Sequence, residues 1–491
     1  MRHTPCLTAV TLCALVAGCA VGPDFERPAA PTADSLGELP KETVSAPGPQ
    51  GESQHFVDGQ DVAAAWWTLY RSPALNKLVE EALAANADVK AAQAALRAAR
   101  EQAKAGYGVF LPNIEGSFQA IRQKDPTESV SATAATGAPI LNLFTPQVTV
   151  SYTLDLLGGN RRAQESLEAQ AEAQRFVTEA TTVTLTTNLV VAAITEAGLR
   201  GQVKATEDII AVEKSLLAIL HRQLALGQVA ESDVLAQEAA LAQAEQALPP
   251  LAKQLDQQRH QLTALLGHLP GSAPSETFAL DDLHLPDALP ASLPSKLVDQ
   301  RPDIRMAEAN LEAASANVGV AIANRLPQID LAAGLGSSST SASTLFAPGN
   351  GLWSIGGTLT QPLFDGFALM HKERAARANF EQAAAQYQST VIAAFQNVAD
   401  SLTAITNDAR ALAAAEAAEQ AASKSLAVTR RSLELGAVPY LVLLNAEAAE
   451  LQARNTLVQA QANRLADTAA LFQALGGGWW NKETQTAMAT P

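Results

Sequence analysis

Chemistry needs nucleophiles, acids, bases or metal ligands at workable spacing, and this 491-residue chain offers few of them. His221, His260, His268, His284 and His371 show no HExxH or other metal-ligand spacing, and Cys6, Cys13 and Cys19 form no CxxC pair. There is no GxSxG elbow and no Walker loop, and Gly334-Leu335-Gly336 lacks the third glycine of a dinucleotide turn. Acidic neighbours such as Glu80-Glu81 and Asp281-Asp282 read as solvated surface, so the residues argue against an enzyme and against a bound metal. One side chain does carry chemistry. Cys19 closes the string Leu15-Val16-Ala17-Gly18-Cys19, after an apolar run from Cys6 to Ala17 that falls short of the roughly 20 residues a bilayer span requires. That is the form of a signal peptide over residues 1–18 ending in a bacterial lipobox, whose cysteine sulfur takes a diacylglycerol thioether and whose new amino group takes an N-acyl chain. Several acyl chains on one residue anchor durably, and no other cofactor is expected. Ala20 has the character of an outer-membrane sorting residue.

Removal of the signal leaves a single cysteine, so no intramolecular disulfide is available, and a mature charge of 33 − 50 = −17. Acidity of this size excludes a sequence-independent grip on nucleic acid. Hydrophobic residues make up 47% of the chain but aromatics only 5%, a mixture suited to long, closely approaching helices. Residues 19–61 carry Pro23, Pro28, Pro31, Pro40, Pro47 and Pro49 and read as an extended tether behind the lipid.

The elements beyond residue 61 come in duplicate. HRQLALGQVAESDVLAQEAA around Gly227 and RRSLELGAVPYLVLLNAEAA around Gly436 align at a spacing of 436 − 227 = 209. Leu224, Leu226, Val229, Leu235 and Glu238 recur as Leu433, Leu435, Val438, Leu444 and Glu447. Earlier in each half, LPNI at 111–114 matches LPQI at 326–329, and Asp88 and Leu96 match Asp303 and Leu311, at a spacing of 215. The repeats are therefore expected at 62–269 and 296–478, with a proline-rich linker at 270–295 and a polar tail at 479–491. After Gly366 a proline-free stretch would form a helix of roughly 105 Å, and Val391, Phe395, Val398, Leu402, Ile405, Ala409 and Leu412 mark a heptad seam within it. The matching stretch from Asn160 to Leu226 is also proline-free, with Gly198 and Gly201 weakening it.

A period of two interrupts the helices. Strands are predicted near 113–121, 147–156, 328–336 and 353–364, where Ile114, Phe118, Val148, Val150, Leu331, Leu335, Trp353 and Ile355 alternate with polar or small neighbours. Four strands of membrane length cannot close a barrel alone, because barrels begin at about eight and an open edge in lipid leaves backbone groups unpaired. The chain must oligomerise, and two copies or three would each supply enough strands.

These features together resemble the outer membrane factor family, the TolC-like channels, and within it the lipoprotein branch serving tripartite efflux pumps of the RND type. The resemblance rests on Cys19 with VGPDFERP at 21–28, Trp66-Trp67, the Ala82-Leu83 to Asn86 element, RPDIRMAEANLEAA at 301–314 and ALGGGW at 474–479, in that order along nearly the whole mature chain. It implies a mainly α fold with membrane β: a long coiled-coil α-barrel, plus four strands per chain in a shared 12-stranded outer-membrane barrel. It also implies a homotrimer in the bacterial outer membrane with its helical part in the periplasm, a periplasmic adaptor and an inner-membrane RND-type transporter as partners, and passive conduction of small toxic compounds. By the same resemblance Gly227, Val229, Gly436 and Val438 belong to helix turns that meet the adaptor. Leu441, with Tyr440, Val442 and Asn445 beside it and Asp233 in the first repeat, narrows the closed pore. Val442 and Asn445 stand where relatives often carry aspartate, which puts a cation-selective ring in doubt, and Asp233 is either a source of negative charge or a helix-start residue. Two other readings compete: a channel for type I protein secretion, and a coiled-coil envelope strut without a pore.

Overall fold

The structure, a computed structural model, describes residues 20–29, 41–124, 140–272, 276–291 and 294–481. Cys19 with the expected signal peptide, residues 129–137 between the first two predicted strands, and the tail beyond Asn481 lie outside the described residues. In chain order the elements are β1 (His55–Asp58), α1 (Pro73–Ala85), α2 (Ala87–Gly106), β2 (Asn113–Lys124), β3 (Ile140–Leu154), α3 (Gly159–Ala225) and α4 (Glu231–Leu265). Then follow β4 (Ala288–Ala291), α5 (Pro294–Gln300), α6 (Pro302–Ala323), β5 (Gln328–Ser337), β6 (Gly351–Thr360), α7 (Ala368–Glu434) and α8 (Tyr440–Ala474). Duplication is written in the lengths: α3 and α7 have 67 residues each, α4 and α8 have 35 each.

Two compact units form. One contains Ala95–Arg175 and Met306–Gln388, with the described part of Met1–Pro28, and its centre is an antiparallel sheet in the order β2-β3-β5-β6. The register lines up the apolar sets of all four strands: Gly116 faces Val148, Val148 faces Leu335 and Leu335 faces Trp353, while Ile114, Val150, Ala333 and Ile355 make the next row. That shared face is uncovered, with Phe118, Trp353 and Ile355 at 64%, 74% and 79% exposure. A sheet packed on its own helices would hide them. β3 begins at Ile140, seven residues before the expected start, because its pairing with β2 continues to Lys124 through a run whose side chains do not strictly alternate. Residues 21–27 dock on this unit: Val21 N–H donates to Leu157 O at 2.9 Å, Arg162 holds Asp24 at 2.5 Å, and Arg27 pairs with Glu308 at 3.0 Å.

The second unit contains Ala29–Ala94, Phe176–Arg305 and Ser389–Pro491. Its core joins Trp66, Tyr70 and Leu78 to Leu189 and Ile194 of α3, Leu262 of α4, Leu402 and Ile405 of α7 and Leu465 and Phe472 of α8. Each such side chain contributes about 1.5–3 kcal/mol when fully buried. The heptad seam of α7 is buried from Val391 to Leu412, with Phe395 half covered. Gly198 and Gly201 do not interrupt α3; they face Ala462 and Val458 of α8, where an added Cβ would lie 3.1 and 3.2 Å from those side chains. Glycine here is a condition of close helix approach rather than a weak point.

The tether and the linker are more structured than composition suggests. Residues 41–61 dock: the fully buried Arg464 donates to Gln50 O at 2.7 Å, Glu52 O at 2.6 Å and Thr43 Oγ1 at 3.1 Å. Gln54 Nε2 reaches Pro286 O at 3.0 Å, and β1 pairs in parallel with β4, a strand that tolerates Pro290. In the linker Phe278, Leu280, Leu283, Leu285 and Leu289 are buried, so the segment between the repeats is part of the core.

Candidate functional site at the helical-hairpin turns

Each long helix pair is joined by five residues, 226–230 in the first repeat and 435–439 in the second. Gly227 and Gly436 both sit at φ 68, and a Cβ at either would meet nothing within 4 Å, so it is backbone conformation and not crowding that demands glycine. The same pair of bonds closes each helix: Gln228 N–H to Gln223 O and Gly227 N–H to Leu224 O, then Ala437 N–H to Ser432 O and Gly436 N–H to Leu433 O, all 2.9 Å. Val229 and Val438 are half-buried just beyond, and Leu226 and Leu435 are exposed.

On α4, the Asp233 carboxylate accepts the Ala230 N–H at 3.3 Å, which serves the helix start. Its repeat counterpart, 233 + 209 = 442, is Val442, which has no such oxygen. Leu441 is 62% exposed on the first turn of α8, with Val442 and Asn445 also exposed and Leu443 buried. Tyr440 departs from this group: its hydroxyl turns onto α4 and donates to Gln237 Oε1. Burial, then the charges of Glu447, Glu213 and Asp233, push that hydroxyl well above the ordinary phenol range.

Behind Tyr440 lies a polar cluster of which the repeat alignment marks one member, Glu447. Fully buried Gln237 donates through Nε2 to the backbone O of Glu213 at 3.0 Å and to the Glu213 carboxylate. Glu447, 5% exposed, accepts from Arg430 at 3.1 Å, and its carboxyl lies within hydrogen-bonding reach of the Glu213 carboxyl. A cavity of about 450 Å³ between α3, α4 and α8 is lined by Glu213, Glu447, Leu441, Leu444, Asn445 and Leu451. The structure thus brings Leu441 and Asn445 together on one cavity and takes Tyr440 out of their row. Only the recurrence of Glu238 as Glu447 hinted at a constrained carboxylate. Nothing pairs a nucleophile with a base among the described residues here, so the chemistry open to this region is proton exchange and exclusion of water.

At the opposite ends of α4 and α8, the strings that carried the resemblance have a structural role. Asn86 Oδ1 accepts the Asp88 and Val89 N–H groups at 2.8 and 3.2 Å, and its Nδ2 donates to Leu265 O, the last residue of α4, at 2.9 Å. Arg301, at the matching position 86 + 215 = 301, grips both oxygens of Asp303 at 3.0 and 2.6 Å and donates to Ala474 O, the last residue of α8, at 2.7 Å. Each repeat closes its long hairpin on the start of its own shorter helix. Trp66 stacks on Phe472 at 5.1 Å, and Trp479 donates to Gln300 O at 2.7 Å, so both tryptophan pairs belong to this packing.

Comparison with known proteins agrees with this duplicated arrangement. The sequence profile of the outer membrane efflux protein family matches residues 78–268 and 293–477, and the chain belongs to that family. It is 28% identical to the toluene efflux pump outer membrane protein TtgC of Pseudomonas putida over 476 residues, 96% of this chain and 95% of the relative. It is also 28% identical to the cation efflux system protein CusC of Escherichia coli over 469 residues, 94% of this chain and 96% of the relative. The structure of the outer-membrane channel OprN superposes with a TM-score of 0.84 at 27% identity, covering 94% of this chain and all of that one. The protein is an outer-membrane efflux channel of mainly helical build, and its family is one of transport proteins.

Proposed function

We propose that the chain is the exit duct of a tripartite efflux pump, working as a homotrimer whose three sheets close a 12-stranded barrel in the outer membrane. The observation that carries this reading is a sheet with one uncovered apolar face, whose outermost strands β2 and β6 are each unpaired along their outer edge among the described residues. In lipid such edges are untenable until copies of the chain pair with them. Repeats at 62–269 and 296–478 give each chain two long hairpins for the periplasmic part. Gly227, Val229, Gly436 and Val438 form the turns that meet a periplasmic adaptor, which couples the duct to an inner-membrane RND-type transporter. Leu441 from three chains makes an apolar ring that gates by excluding water, with Val442 and Asn445 beside it. Energy and selectivity come from the transporter, so the duct passes small toxic compounds passively.

Cleavage after residue 18 and acylation of Cys19 complete the picture. The bond from Val21 to Leu157, three residues past the end of β3, supports it by tethering the residue next to Ala20 close to the sheet, where acyl chains reach the same bilayer. The test is in-cell photo-cross-linking from Gln228 and Ala437, with mass spectrometry of the captured proteins. Capture of an adaptor together with a proton-driven transporter is the expected result. Capture of an ATP-driven exporter would move the function to protein secretion, and capture of neither would return it to an envelope strut.

A further inference from the structure

The two repeats treat one contact between a basic and an acidic side chain differently. His221 and Glu238 approach to 3.7 Å in the first repeat, and Arg430 and Glu447, each 209 residues later, to 3.1 Å in the second. The first pair is about half exposed on both sides, whereas the Glu447 side chain is buried. The difference comes from Glu213 on α3, which lies against Glu447 on α8 and is itself held by Gln237 on α4. Their own counterparts, 213 + 209 = 422 and 237 + 209 = 446, are Ala422 and Ala446. Among the described residues, the duplicated helices make this arrangement once.

Two carboxylates now face each other in a site walled by Leu441, Leu444 and Leu451, and Glu447 Oε2 has no hydrogen-bond donor. Arg430 on α7 supplies one positive charge against two acids, Gln237 gives its amide hydrogens to Glu213, and the Tyr440 hydroxyl donates to Gln237 Oε1. Asp233, on the first turn of α4, adds further negative charge. A proton on one carboxyl both supplies the missing donor and removes the repulsion between like charges.

We propose that Glu213 and Glu447 share one proton and with it form a latch between the α3–α4 and α7–α8 hairpins, released when the proton passes to water and two carboxylates remain. Burial first, and then the charge of Glu213, push Glu447 up to about 7, against the pull of Arg430. The sign follows: an exposed glutamate gives up its proton near 4.5, so the latched arrangement is favoured in acid and loses that advantage as pH rises toward 7. A periplasm behind a porous outer membrane follows the external pH, so the latch would sense the surroundings of the cell.

The test uses the full acylated chain in detergent and two readouts that need neither pump partners nor pore current, so its failure leaves the efflux reading standing. Infrared titration between about pH 5 and pH 9, made in an Asp408→Asn background because Asp408 is also raised to about 7, should find a protonated carboxyl band with its midpoint near 7 that Glu447→Gln removes. Hydrogen exchange of residues 440–451, corrected for the intrinsic rate, should lose about tenfold in protection across that range, the equivalent of one pKa unit. Glu447→Gln keeps a neutral hydrogen-bonding group and should show flat protection. Should that variant fail to fold, Glu213→Gln, which removes the second charge and leaves Glu447 buried, should move the band to lower pH and shrink the loss of protection. Absence of a band titrating in that range, or an identical pH dependence in wild type and the glutamine variant, would overturn the proposal.

Discussion

Asp408 on α7 shows what a buried carboxyl does in this protein. Burial, and then its contact with Asp467 on α8, raise it to about 7, with Arg464 pulling the other way. A carboxyl raised in the folded state stabilises below its ordinary value of 3.8 and becomes a liability as pH climbs toward 7. Thermal stability should therefore decline between about pH 4 and pH 7, and Asp408→Asn should flatten that decline by on the order of one degree, since partial exposure screens the effect. Melting curves at several pH values check this, and an unchanged slope in the variant contradicts it. Neither Asp408 nor the Glu213–Glu447 pair is legible in the sequence. The latter contact spans 447 − 213 = 234 residues and depends on how two helices are placed side by side, which no local period encodes. Gly227 and Gly436 are legible, because a positive φ at a helix end is a local demand that only glycine meets cheaply.

Among elements, the helices can be read almost to their ends, since a heptad seam and the absence of proline act over short range. What escapes is how elements are strapped together. Arg464 looks like one more polar residue on a helix until residues 41–54 fold over it, and the apolar spacing from Phe278 to Leu289 gains meaning only once β1 and β4 have paired. Gly198 misleads for a related reason: its cost to α3 is local, whereas its benefit lies in contact with Ala462 on α8. Gly198→Val should push the two helices apart and cost about 1–3 kcal/mol of stability through overpacking. Chemical denaturation of the purified chain measures it, and a variant as stable as wild type would show that the contact is slack.

At the scale of the whole molecule, the sequence states a requirement that the chain cannot meet alone. Alternation predicts four strands with one apolar face, and the register shows that face continuous from Ile114 and Gly116 to Trp353 and Ile355. Periodicity says nothing of the number of copies that close the barrel; the choice of three comes from family resemblance. The central claim is that three chains form a conducting duct narrowed by Leu441. Single-channel recording of the purified, acylated protein in planar bilayers tests it most directly, with native mass spectrometry to count chains. The expected result is discrete pore currents from trimers and a severalfold rise in conductance for Leu441→Ala, as the apolar constriction admits water. Trimers that carry no current, or conductance untouched by the substitution, would contradict it.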